Sequence, residues 1–111
     1  MTKILAENPN DAARRMIEIT ADLADRMEAE TRAVAVNDAI AFSVAEKDKE
    51  AAADLYARAA AEFRSRTPDM KGKIDPALLD RLEAVQRDLG QVARSNVSLL
   101  ETLPSRQSND G

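Results

Sequence analysis

The sequence predicts an all-α protein: three long helices, the first two an antiparallel helical hairpin and the third a C-terminal amphipathic helix, together a three-helix bundle of coiled-coil character. Three observations carry that prediction. Apolar residues recur at spacings of three and four in three stretches, and none shows the strict alternation of a strand. Capping and breaking residues divide the stretches, Asn37-Asp38 first and then Thr67-Pro68 through Asp75-Pro76. The chain of 111 residues has room for one domain and one modest core. The expected layout is an N-terminal tail over 1–8, a single helical domain over 9–103 with helices at about 9–36, 38–66 and 75–103, and a disordered tail over 104–111.

The first helix starts at Asn8 or Asn10. Asn8 can cap with Pro9 at the first helical position, and Asp11 sits near the positive end of the helix dipole. Ala13, Met16, Thr20, Leu23, Met27, Glu30 and Val34 form its seam, widened by Ile17, Ala24 and Thr31. At 1.5 Å per residue the helix is about 40 Å long. Asn37-Asp38 then breaks the chain into a hairpin, since both residue types cap helices and tolerate turns; one continuous rod is the alternative.

In the second helix Phe42, Ala45, Lys49, Ala52, Tyr56, Ala59 and Phe63 share a stripe, with Val44 and Leu55 beside it. All three aromatics of the chain lie on it, which reads as core packing rather than a ligand box. Lys49 on that stripe either runs its stem over apolar surface to water or pairs with Glu30 across the bundle. The alanine triplets 51–53 and 59–61 suit close helix approach, and helix propensity explains them equally well. Thr67-Pro68 is expected to end the helix, because proline disfavours helical geometry in the residue before it, leaving 67–74 as a loop containing Gly72.

Asp75-Pro76 opens the third helix as cap and first position, with Ile74 placed to pack on Leu79 as a hydrophobic staple. Leu78, Leu82, Val85, Leu89, Val92, Asn96, Leu99 and Leu103 repeat at three and four without a gap, flanked by Leu79, Val97 and Leu100. Such a helix is apolar over more surface than one packing partner requires. Asn96 interrupts the seam with an amide. It must find a partner or face water, and a seam asparagine characteristically sets register or partner choice.

Composition removes most chemistries. There is no histidine and no cysteine, so the usual general base, the thiolate nucleophile, the disulfide and the zinc cluster are all missing. Acid–arginine pairs four apart, such as Asp54/Arg58, Glu62/Arg66 and Glu83/Arg87, support solvated helix faces rather than an active site. Glu28 and Glu30, two apart, point in different directions on a helix, so neither a catalytic nor a metal role is expected, and no cofactor is. A net charge of −4 with three aromatics opposes nucleic-acid binding. The lack of a long apolar run or of an opening charged-then-apolar segment makes the cytoplasm the expected location, without membrane insertion. The residues therefore describe a small acidic helical module whose business is protein contact.

Arg15 to Thr20, Leu23, Met27 and Glu30 resemble the opening helix of FlgN-type flagellar export chaperones, and Asn37-Asp38 falls where that family turns. The resemblance continues through Glu46 to Lys49 and Leu55-Tyr56, where a lysine precedes an aromatic by a heptad. It ends with Leu89, Val92, Asn96, Leu99 and Leu100, similar to the family's terminal helix with its asparagine before a leucine pair. It spans about residues 10–103 and departs at Thr31, where asparagine is frequent, and at Ala52, where a larger apolar residue is usual. The resemblance implies a cytoplasmic, non-enzymatic chaperone that keeps hook-filament junction (hook-associated) proteins unpolymerised and brings them to the flagellar type III export apparatus. It implies that the client's C-terminal helical segment docks on the third helix, which here carries Leu78, Leu82, Val85, Leu89, Val92, Asn96, Val97, Leu99, Leu100 and Leu103. On this reading the free protein is a monomer or weak homodimer. The alternative is a self-associating helical bundle or coiled-coil adaptor with no export client.

Overall fold

The computed structural model describes residues 3–101 and shows three helices: α1 (Pro9–Ala35), α2 (Ala39–Met70) and α3 (Pro76–Glu101). The fold is the expected helical bundle, with α2 running against α1 and α3 running back alongside it. Leu103 and residues 104–111, expected as helix end and disordered tail, lie outside the described residues. Among the described residues no helix is long and apolar enough to cross a membrane.

Local chemistry sets the helix ends. Asn8 caps α1, its side chain accepting the Asp11 amide at 3.1 Å, with Pro9 in the first turn. At the other end the Asn37 amide donates to the Val34 carbonyl and the Asp38 amide to that of Ala33, both at 3.0 Å. This is a Schellman closure, with Asn37 in the left-handed region at φ 56°. Asp38 then caps α2 by accepting the Ala41 amide at 2.9 Å. Three residues, 36–38, thus both stop one helix and start the next, and the chain turns as a hairpin rather than continuing as a rod.

The second boundary corrects the sequence reading. α2 does not stop at Arg66 but continues through Thr67 and Pro68 to Met70. Pro68 leaves the carbonyl one turn back without its amide donor. Two contacts offset that loss: the Thr67 hydroxyl donates to the Phe63 carbonyl at 2.9 Å, and Met70 is buried in the core. The chain then leaves by a tight turn in which Lys71 (φ −57°, ψ 127°) precedes Gly72 at φ 79°, and the Lys73 amide donates to the Met70 carbonyl at 2.9 Å. That is type II geometry, which requires a residue tolerant of positive φ at its third position. The connector is consequently 71–75 rather than 67–74. Asp75 caps α3 by accepting the Ala77 amide at 2.9 Å. Its own amide donates to the Asn10 side chain at 2.7 Å, so the residue weighed as an alternative cap for α1 instead ties the starts of α1 and α3 together.

α1 is the central helix. It packs against both others, whereas among the described residues no Cα of α2 comes within 8 Å of one of α3. Residue size explains the asymmetry. Ala12, Ala13, Thr20 and Ala24 on α1, with Ala45, Ala52 and Ala59 on α2, are buried and short enough for close approach. Larger side chains, Tyr56 and Phe63 of α2 and Leu82 of α3, reach the core from the two outer helices, and Tyr56 spans to α3 by donating to Gln86 Oε1 at 2.7 Å. Leu78 packs with Ala13 and Ile17, and Leu89 with Leu23, Ala24 and Ala52. Burying each of those leucines contributes about 1.5–3 kcal/mol before entropy is counted.

Part of the expected N-terminal tail, residues 4 and 5, packs on the bundle. Leu5 is only 3% exposed and joins Met16, Ile19, Ala59 and Met70, with Ile4 against the same cluster. Glu62 of α2 accepts the Ile4 amide at 2.8 Å and the Leu5 amide at 3.1 Å.

Candidate functional site

Three polar residues, one from each helix and each on its helix's seam, converge inside the bundle at the hairpin end. Glu30 of α1 is fully buried, and its Oε1 accepts from Lys49 Nζ of α2 and from Asn96 Nδ2 of α3, each at 2.8 Å. The Asn96 amide nitrogen also lies 3.2 Å from the Met27 carbonyl and 3.2 Å from Thr31 Oγ1, and Asn96 Oδ1 faces Lys49 Nζ at 3.5 Å. Only one orientation of the amide suits these neighbours, since an ammonium can only donate and a carbonyl or carboxylate can only accept. Lys49 does pair with Glu30, as one of the two sequence readings had it. The added finding is that Asn96 completes the pair. Thr31, at one of the positions where the chain departs from the resemblance, supplies the hydroxyl beside it.

The cluster is incompletely satisfied. Glu30 Oε2 is buried and has no hydrogen-bond partner. Two amide protons are spread over three acceptors, so none of the secondary contacts is short. A buried charge pair of this kind holds register but stabilises little beyond what a well-packed apolar set would. Among the described residues no three acidic side chains are grouped so as to hold a metal ion.

The expected docking residues of α3 divide into two sets. Leu78, Leu89 and Asn96 face inward and are buried, so they serve the fold, and a docking role for those three requires α3 to move. Leu82, Val85, Val92, Leu99 and Leu100 are half-buried, Val97 is 53% exposed, and Leu103 lies outside the described residues. Leu79, read from the sequence only as a flanking residue and staple partner, is 45% exposed.

Leu79 and Val97 are 18 positions apart, five helical turns, and therefore lie on one face of α3. Gln86, Gly90 and Ala93 fall between them on that face. The Tyr56–Gln86 hydrogen bond marks it as the flank turned toward α2. Because α2 and α3 do not approach closely, the flank is left partly uncovered. At the connector end it runs into an apolar recess of about 180 Å³ lined by Phe63, Met70, Gly72, Ile74 and Leu79, among others. Ile74 and Leu79, the expected staple, thus form two walls of one hollow. On the other side of α3 a more polar recess of about 340 Å³ is lined by Glu28, Thr31 and Arg32 of α1 with Gln91, Val92 and Ser95.

Sequence reasoning placed Glu30, Lys49 and Asn96 on the seams of their helices, but did not find the open flank. Nothing in the spacing of α3 says which side α2 leaves uncovered. No protein-family model, curated protein or solved structure matches this chain.

Proposed function

We propose that the protein is a cytoplasmic, non-enzymatic export chaperone that holds the C-terminal helical segment of hook-filament junction proteins along the α2-facing flank of α3 and delivers them to the flagellar type III export apparatus. The observation that carries the reading is the gap between α2 and α3. It leaves Leu79 and Val97 uncovered on one face, ending in an apolar recess, which is the shape that receives an amphipathic helix through anchors at helical spacing. A client helix laid there would cover the flank and complete a four-helix arrangement, masking the client's own assembly surface. The Glu30–Lys49–Asn96 cluster fits the same reading, since it adds a polar register contact to the apolar packing that holds α3 beside α1 and α2.

The test is hydrogen exchange over residues 76–101 with and without a C-terminal fragment of a hook-filament junction protein. Added protection along α3, strongest near Leu79 and Val97, is the expected result. Protection that does not change with saturating fragment would remove the proposal.

One observation favours a second reading, a self-associating bundle. Val36, Ile40 and Val44 stand four apart at the hairpin end and are 71%, 80% and 56% exposed. Light scattering separates the two: a tight oligomer indifferent to client fragments selects self-association, and a monomer that binds them selects the chaperone.

A further inference from the structure

Of the five exposed large apolar side chains among the described residues, three stand together where α1 turns into α2: Val36, Ile40 and Val44. Val44 also lines a recess of about 360 Å³ between α1 and α2, with Ala29, Ala41, Ala45, Arg26 and Asp48 around it. The alanines are too short to fill the space between the helices, and that leaves the hollow. Ile40, one helical turn before Val44 on α2, stands out into solvent beside it, 80% exposed. One face thus carries both an apolar projection and an apolar hollow. No residue of α3 lines that recess, so it is separate from the flank of α3 proposed for the export client.

We infer that this face of the hairpin end pairs with a second copy of the chain, in a weak two-fold dimer in which Ile40 of each copy enters the recess of the other. A two-fold axis sets the same patch on both copies, so a face that holds both a projection and a hollow is complementary to itself. Charge permits the approach. Arg26 reaches Asp48 at only 3.8 Å and both are about half exposed, so the rim offers one charge of each sign to an identical rim, in spite of the net charge of −4. The chain's own C-terminus is the competing occupant, because α3 ends near the same hairpin, where Asn96 meets Glu30 and Thr31. Residues 102–111 bring Leu103 as their single large apolar side chain, too little to cover three. Area sets the strength. The three side chains expose roughly 300 Å² of apolar surface, a size at which patches are often functional. A stable complex buries about 800 Å² per partner, so this dimer exchanges with monomer. At low concentration the chain is a monomer with its α3 flank free, and the inference does not rest on the chaperone reading.

Sedimentation equilibrium of the full-length protein, from about 10 μM to about 1 mM, tests the pairing. The mean mass is expected to rise from near one chain toward two across that range. Ile40 is the second residue of α2, where an aspartate suits the positive end of the helix dipole, so Ile40→Asp should fold as the parent does. It is expected to weaken the dimer at least ~10-fold, because a charge would have to enter an apolar recess, and to leave the melting temperature within a few degrees. Val97→Asp, on the flank of α3, should leave the dimer as it is. A parent that stays a single chain at about 1 mM would overturn the inference. So would a dimer that Ile40→Asp leaves intact or that Val97→Asp breaks. A parent that dimerises only after truncation behind Glu101 would give the patch to the chain's own C-terminal residues instead. Client capture retained by Ile40→Asp and lost by Val97→Asp would keep the two readings apart.

Discussion

The Glu30 carboxylate of α1 lies 2.8 Å from the Lys49 ammonium of α2, with Glu30 entirely out of solvent and Lys49 keeping one-fifth of its side-chain surface. The asymmetry decides how the pair responds to mutation. Removing Lys49 leaves a buried charge facing only an amide, whereas removing Glu30 leaves an ammonium that can still reach water.

Lys49→Met should therefore cost more than Glu30→Gln, about 3 kcal/mol in urea unfolding, near the low end for breaking a buried pair. The double variant Glu30→Leu with Lys49→Met should recover most of that loss. A double variant as unstable as the sum of Glu30→Leu alone and Lys49→Met alone would show that the two side chains do not act as a pair.

Asn96→Leu removes the amide donor to Glu30 Oε1 and to the Met27 carbonyl. In a simple seam, leucine would raise stability. Here the deleted partner leaves an already under-satisfied carboxylate worse off, so a loss of about 1–3 kcal/mol is expected. A higher melting temperature would show that the amide is not tied into the fold.

The contact between Glu62 and the Ile4 and Leu5 amides should be sensitive to acid. Burial pushes the Glu62 carboxyl up, but the Ile4 and Leu5 amide donors, with Arg66 beside them, outweigh it and hold the carboxyl below its ordinary value. A depressed folded-state value means that the contact stabilises at pH above the ordinary glutamate value. The contribution is lost as pH falls through the depressed one. Exchange of the Ile4 and Leu5 amides, corrected for intrinsic rates, should accelerate at that acid end in the parent and be flat with pH in Glu62→Gln.

Asn37 carries the α1–α2 turn at positive φ. Asn37→Gly should leave thermal stability unchanged or slightly raised, and Asn37→Ala should lower it by about 1 kcal/mol, because a Cβ without a local polar group is strained there. Equal melting of the two variants would contradict the turn geometry.

For the proposed client, Val97→Asp should abolish capture while leaving the melting temperature within a few degrees, since Val97 lies on the open flank. Glu83→Ala, at an exposed ion pair with Arg87, should change neither. Leu89→Asp is a poor probe, because Leu89 is core and an aspartate buried there is expected to destabilise the bundle itself.

Much of the fold was legible. The Asp75-Pro76 start, the Asn37-Asp38 turn and the α3 seam follow from capping, proline and spacing rules that act within one helical turn. The misreadings have equally definite causes. Pro68 looked like a terminator because its local cost is real, but the burial of Met70, two residues on, holds the last turn in helix. Ile4 and Leu5 looked like tail because two aliphatic residues show no period. Glu62 read only as Arg66's neighbour one turn away, and that contact at 3.3 Å exists beside the two amide contacts that matter more.

Periodicity and capping, being local, determined from the chain alone that there are three helices, nearly where each begins, and that Glu30, Lys49 and Asn96 lie on their seams. Tertiary packing decided the rest. Small residues on two sides of α1 made it the centre, which drew the three polar residues into one cluster and left α2 and α3 apart. Which flank of α3 stays open, and which partner each side chain finds up to 69 positions away, depends on how three surfaces share one volume. No single stretch of sequence contains that information.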